Sequence, residues 1–302
     1  MNLRLTTRSV STCTHALAVA ALFVCAIAAP GCGSIDGGAT GDDRGATGDG
    51  GATEDRGATA DGGRAADGGV TADDLAGDAK AADAKAATDA KPATTYVSLK
   101  TAGNFVVLAG SAITSTGFTV VNGNVGISPG TAITGFPPGV VNGTIHIADA
   151  VAAAAKQDLN DAYKDAAGRS GAPVTVAGDL GGRTLGPGLY FSASSLGLDA
   201  GDLTLDAAGD EDAIWVFQIG SSFVATPNRQ VILVGKARAD NVFWKVGTST
   251  TIGLGCVVVG NFLTQVSITA NAGTTLEGRF LTQTGAVTLD PSTTINRPKP
   301  VH

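Results

Sequence analysis

Trp244, Phe262 and Phe280 stand eighteen residues apart, and each lies in a similar short unit: Asn241-Val242-Phe243-Trp244, Gly260-Asn261-Phe262-Leu263 and Gly278-Arg279-Phe280-Leu281. Gln265 and Gln283 follow at the same offset. A strand-length unit with glycine corners and a period near twenty is what stacked solenoid coils require, because each coil buries its inward side chains only against neighbouring coils. A β-sandwich is the competing arrangement, and the repeat disfavours it. Other short runs agree with strands: Phe105 to Leu108, Trp215 to Ile219, Val231 to Val234, Val242 to Val246 and Cys256 to Val259 are each bounded by Gly, Asn or Asp. With 43 glycines, 5% aromatic and 16% charged residues, the composition is that of a repetitive or β-rich chain and not of a helical enzyme.

One stretch departs from this pattern. Asp149 to Ala167 is rich in alanine, and Val151, Ala155, Leu159 and Tyr163 fall four apart, which predicts a single amphipathic helix with that stripe as its buried face. Asp149 is the expected N-cap and Gly168 the expected stop.

The N-terminal region divides into two further parts. Arg4 and Arg8 precede an apolar run from Ala16 to Ala29, the length of a signal peptide and short for a spanning helix, so residues 1–31 are read as a cleaved leader. Ala29-Pro30-Gly31-Cys32 resembles a lipobox, in which Cys32 is acylated and the acyl chains become the membrane anchor. Pro30 departs from the commonest lipobox residue, and an ordinary cleaved leader with a chance cysteine is the alternative. Gly33 after the cysteine leans toward the outer membrane by analogy with lipoprotein sorting. Residues 32–95 carry almost no large apolar side chain and repeat Gly-Ala-Thr from Gly38, Gly45, Gly51 and Gly57, the composition of a disordered tether. The third part, 96–302, is the folded domain.

Charge excludes some partners. Residues 33–95 hold thirteen acids and six bases, whereas 96–302 hold fourteen acids and twelve bases, so the acidic excess lies mainly in the tether and the domain lacks the basic stripe that nucleic acid needs. Catalytic groups are also scarce. Of three histidines, only His146 lies inside the domain away from its end, no nucleophile motif accompanies it, and a structural role is expected. Asp199, Asp202, Asp206, Asp210, Glu211 and Asp212 are the densest acids, but their spacing fits no metal loop and solvated corners are the reading; no metal and no cofactor are expected. Gly181-Gly182 and Pro187-Gly188 lack the Lys and Ser/Thr of a phosphate loop. Trp215 and Trp244, flanked by apolar residues, are expected in the core, and Cys256 beside Val257 to Val259 is expected to be a buried thiol.

Further short segments follow one another in order: Ala102-Gly103-Asn104-Phe105, Gly123-Asn124-Val125-Gly126 with Ser128-Pro129-Gly130, Ala162-Tyr163 with Asp165 to Arg169, Pro187-Gly188-Leu189-Tyr190, Trp215 to Ile219, and Gln283 to Asp290. They carry a resemblance of residues 98–298 to the ice-binding-protein-like family of bacteria, fungi and algae, formerly a domain of unknown function. It implies an all-β fold with one long helix: a right-handed discontinuous β-helix (β-solenoid) of triangular section, with coils stacked out of chain order and the helix packed alongside. It also implies binding to an ice crystal through one flat face; the leader and lipobox place the protein at the cell surface or, without the lipid, secreted, and a monomer is expected. Members limit recrystallisation or hold a cell to ice; a surface adhesion module recognising an extracellular polymer or another cell is the alternative use of the same fold, since fold alone does not fix function.

The face can be sought by period two. If Ile252, Ile268 and Val287 point inward, then Thr251, Ser267, Thr269, Ala286 and Thr288 point outward, and Thr248, Ser249 and Thr284 extend the patch toward a corner. In this alignment Gly253 falls beside Thr269 and Thr288 and leaves a hole. A register shifted by one in that coil swaps inside and outside, and Thr is also simply a good strand former.

Overall fold

The structure is a computed structural model and describes residues 95–299. The leader, the lipobox with Cys32 and nearly all of the tether lie outside the described residues. Three sets of parallel strands form three faces of a solenoid. The sequence supplies short β-branched and aromatic runs cut by Gly, Asn and Asp, so each coil is three brief strands separated by corners. The strand at Val257–Thr264 runs on past Val259, where the sequence pattern suggested a stop, and Thr275–Thr282 does the same; both turn a corner from one face to the next. Glycine permits the bend. Gly260 has φ +104°, and a Cβ on Gly278 would lie 1.9 Å from the Gly260 carbonyl oxygen.

The coils are stacked out of chain order. The first coil, with strands Phe105–Ala109, Ala112–Ser115 and Val120–Asn122, pairs on all three faces with the last, so that Val107 lies beside Phe280, Thr114 beside Thr288 and Val121 beside Ile295. The second coil, beginning at Asn124–Ile127, stacks outside the first. Residues after it must reach the far end of the stack, where Val174–Thr175 begins the third coil. The helix α1 (Ala150–Ala167) makes most of that journey, its 18 residues covering about 27 Å.

Inside, one aromatic column runs through five coils. Tyr190, Phe217, Trp244, Phe262 and Phe280 are paired in register, with ring centroids 5.1, 4.1, 5.6 and 5.5 Å apart in turn. Trp215 is equally buried and its Nε1 donates to the Leu185 carbonyl at 3.2 Å. A second apolar layer lies between α1 and the face it covers: Ala155, Leu159, Ala162 and Ala166 pack with Leu108, Val216, Phe243, Leu263 and Leu281.

The helix begins and ends where the sequence indicates, with Asp149 Oδ1 accepting the Ala152 N–H at 2.8 Å and Gly168 at the C-cap. Its buried stripe differs from the one expected. Val151 is 50% exposed and Tyr163 only partly covered, while Ala152, Ala155, Leu159, Ala162 and Ala166 are buried. A spacing of three and four follows the 3.6-residue turn, whereas a strict spacing of four drifts around the helix. Small alanines on that stripe let the helix lie close to the sheet.

Polar side chains fix the helix in place. Gln218 Nε2 donates to the carbonyls of Ala166, Ala167 and Arg169 at 2.8, 3.1 and 3.0 Å, meeting the unpaired acceptors of the helix end. Lys156 Nζ donates to the carbonyls of Gln283 at 2.7 Å and of Thr282. Burial pushes this ammonium down from the ordinary 10.5 to about 8. Folding therefore disfavours the charged form, and its penalty is fully present below pH 8. Between pH 8 and 10.5 the folded chain has shed a proton that the unfolded chain still holds, so stability rises with pH across that window by up to about 3 kcal/mol. Urea midpoints at pH 7 and 10 should show this rise, and Lys156→Met should lack its share of it.

Candidate functional site

The face that neither carries α1 nor contains the long bent strands is built from eight rungs, in the spatial order Ala132–Thr134, Ala112–Ser115, Val287–Leu289, Ile268–Ala270, Thr250–Ile252, Phe223–Ala225, Leu196–Leu198 and Gly178–Asp179. Every pair is parallel and in register. Ile113, Val287, Ile268, Thr250, Phe223 and Leu196 point inward and are buried. The residue after each points outward, which gives the column Thr134, Thr114, Thr288, Thr269, Thr251, then Val224, Gly197 and Asp179.

Five threonines thus stand in one unbroken line. With strands about 4.8 Å apart, the line is about 19 Å long. Thr134 Oγ1 donates to Thr114 Oγ1 at 3.4 Å, while the hydroxyls of Thr288, Thr269 and Thr251 have no protein hydrogen-bond partner among the described residues. One pleat back on the same side, about 6.6–7 Å along each strand, runs a column of small residues: Ala132, Ala112, Ala286, Ser267, Ser249, Ser222 and Ser195. Ser249 and Ser267 share a hydrogen bond of 3.1 Å, and Ser195 and Ser222 one of 2.8 Å. The surface is a rigid grid of hydroxyls and methyls. β-Branching fixes the threonine rotamers in advance.

Of the residues that period two singled out, Thr251, Ser267, Thr269, Ala286, Thr288 and Ser249 all lie on this plate. Thr248 and Thr284 lie off it at the corner toward the helix side, Thr284 Oγ1 donating to the Gln265 carbonyl at 2.9 Å beside a shallow hollow of about 490 Å3. The expected hole at Gly253 is absent. Thr251, not Gly253, pairs with Thr269, because the eighteen-residue offset relating Trp244 to Phe262 holds on this face too; Gly253 falls one pleat further on. Thr134 and Thr114 escaped the sequence reading. They belong to the first two coils and join the face only through the out-of-order stacking. Their signal was present: Ala112-Ile113-Thr114 and Ala132-Ile133-Thr134 repeat the small-aliphatic-threonine triplet of Ala286-Val287-Thr288.

The groups weighed as chemistry serve structure. His146 Nδ1 lies 2.7 Å from Asp149 Oδ2 and its ring meets Phe105 edge-on at 5.4 Å. The bond from the Ala152 N–H, aided by His146, holds the Asp149 carboxyl below its ordinary range. Asp179 accepts backbone N–H bonds from Gly181, Asp199 and Ala200, Asp206 from Ala208 and Asp210 from Asp212, so these acids tie corners. Cys256 is buried, burial raises its pKa, and its thiol donates to the Thr226 carbonyl.

The sequence model of the ice-binding-like family matches residues 107–296, the whole of this stack from first coil to last. The chain belongs to the ice-binding-like family. Among its relatives, the ice-binding protein of Nostoc sp. (strain HG1) is 44% identical over 210 residues, which cover 69% of this chain and 77% of that protein. The ice-binding protein of Colwellia sp is 36% identical over 217 residues, covering 67% and 84% respectively. The crystal structure of an ice binding protein from an Antarctic biological consortium superposes with a TM-score of 0.67 at 47% identity, over 69% of this chain and 94% of that one. The matched residues 107–296 lie within the solenoid.

Proposed function

We propose that this chain is an ice-binding protein of the cell surface, which holds ordered water against the threonine plate and carries out no catalysis. The observation that carries the reading is the in-register column Thr134, Thr114, Thr288, Thr269 and Thr251 on an exposed parallel sheet. A periodic solid is best met by a periodic surface. Threonine offers it a methyl that shapes the adjoining water and a hydroxyl that bonds to it, and a plate rigid before contact loses little entropy on binding. The relatives named for ice binding support ice as the solid in question. The column ends at Val224, Gly197 and Asp179, so the five rungs nearest the first and last coils form the contact. Thermal hysteresis and ice recrystallisation of the purified full chain test the proposal, and growth of crystals unchanged by the wild type would sink it.

We further propose that Cys32 carries the lipid that anchors the protein, with the acidic segment 33–95 as spacer. The small residues before Cys32 support this. Cys32→Ser should move the protein from the membrane fraction to the soluble fraction of expressing cells; a wild type already soluble overturns the anchor without touching the ice reading.

A further inference from the structure

The threonine plate is composite. Thr114 and Thr134 come from the first two coils, Thr288, Thr269 and Thr251 from the last three, and the seam between them joins residues 174 positions apart. Across that seam, three side-chain hydrogen bonds link first coil to last among the described residues. Arg279 Nε donates to the Gly103 carbonyl at 3.1 Å on the helix side, and Asn122 Nδ2 donates to Asn296 Oδ1 at 2.7 Å on the third face. On the threonine face, Thr116 Oγ1 donates to Asp290 Oδ1 at 3.0 Å. These two residues sit one pleat beyond Thr114 and Thr288, with the Thr116 N–H still bonded to the Leu289 carbonyl and the Asp290 N–H to that of Ala270. Asp290 is also the one charged side chain at the three outward positions of the five threonine rungs. A carboxylate on a plate that is otherwise uncharged calls for a reason, and its bond to Thr116 is the side-chain bond that crosses the seam on this face.

We propose that Asp290 is a positioning residue of the binding surface, holding Thr116 so that the Thr114 and Thr288 rungs lie in one plane and two partial plates act as one. The inference rests on the ice-binding reading. The rung ends at Ser115 and the chain then leaves the face through Gly117 and Phe118, so between the backbone bonds at Thr116 and Phe118 the clip is the side-chain bond that holds this edge to the last coil. Tilting the first coil would withdraw two of the five threonine rows from a flat partner.

The test compares hysteresis with stability in full-length variants. Asp290→Ala and Thr116→Val should each lower hysteresis by about two-fifths, the share of contact carried by two rows in five. Asp290→Asn keeps the acceptor and should retain wild-type hysteresis. Asn296→Ala breaks the equivalent bond on the third face; it should lower the urea midpoint about as much as Asp290→Ala does and leave hysteresis intact. Methyl resonances of Thr114 and Thr288 should shift in Asp290→Ala, while that of Thr251 stays. Full hysteresis in Asp290→Ala overturns the inference, as does a parallel loss in Asp290→Asn, which would make charge the cause, or in Asn296→Ala, which would make stability the cause. A wild type without activity overturns the functional reading and this inference together, whereas an active wild type matched by Asp290→Ala overturns this inference alone.

Discussion

Thr288→Tyr is expected to reduce thermal hysteresis to about a tenth of the wild-type value or less, a loss of about 1.4 kcal/mol or more in surface binding, with little change in the unfolding midpoint. Thr288 is the middle of the five threonines, between Thr114 and Thr269. A phenol ring there stands above the plate and holds the neighbouring rows away from a flat solid, and dispersion contacts fall steeply with a gap of even an ångström. The fold should tolerate the ring. Position 288 points outward, and tyrosine is a favourable strand residue, so the stability change should stay within about 0.5 kcal/mol. Thr269→Tyr, one row along, should behave alike. Thr204→Tyr on the third face supplies the contrast: equally bulky, on a parallel strand, and expected to leave hysteresis unchanged. If Thr288→Tyr and Thr269→Tyr both match an active wild type, the binding surface lies elsewhere on the solenoid.

How far the sequence reached depends on what each feature rests on. The inner aromatic column was legible from Trp244 onward because the later coils share an eighteen-residue period. Its first members, Tyr190 and Phe217, lie twenty-seven residues apart and twenty-seven before Trp244, since the corners around Ala207 to Ala213 and Gly235 to Asn241 are longer; the period breaks while the ladder continues. Corners face water and accept insertions, whereas inward positions must stack, so the ladder is kept where the spacing is not. The outward threonines were harder to place. Thr251, Thr269 and Thr288 followed from strand alternation, but nothing local tells Thr114 that its neighbour is 174 residues away. The helix was legible as a helix and misread as to its face, because alanine is a weak marker of burial and Val151 a strong but misleading one. His146, Cys256 and the corner acids Asp202, Asp206, Asp210 and Glu211 each have a local partner in the fold, which the residue pattern could not have announced.

Trp244→Ala should cost about 3–5 kcal/mol, the range for deleting a large buried aromatic, and lower the melting temperature by about 6–20 °C at 2–4 °C per kcal/mol for a domain of this size. Trp244 is fully buried, stacked between Phe217 at 4.1 Å and Phe262 at 5.6 Å with planes 8° apart, and tilted against Phe223 at 4.9 Å. Its Nε1 donates to the Val259 carbonyl at 3.0 Å, so truncation leaves a buried acceptor unpaired as well as a cavity. Trp244→Phe keeps a ring in the stack and should cost markedly less. Each coil is stabilised only by its neighbours, so a gap at this rung weakens both interfaces that meet there. A cost below about 1 kcal/mol would mean that the column is not the spine of the stack. The same variant separates stability from surface. Hysteresis is measured near the freezing point, close to the 10–20 °C region where folded proteins are typically most stable, so a chain weakened by a few kcal/mol remains folded there. Trp244→Ala should therefore lose heat resistance and keep its hold on ice, the opposite of Thr288→Tyr, because the first sits in the column that holds the coils together and the second on the face they jointly present.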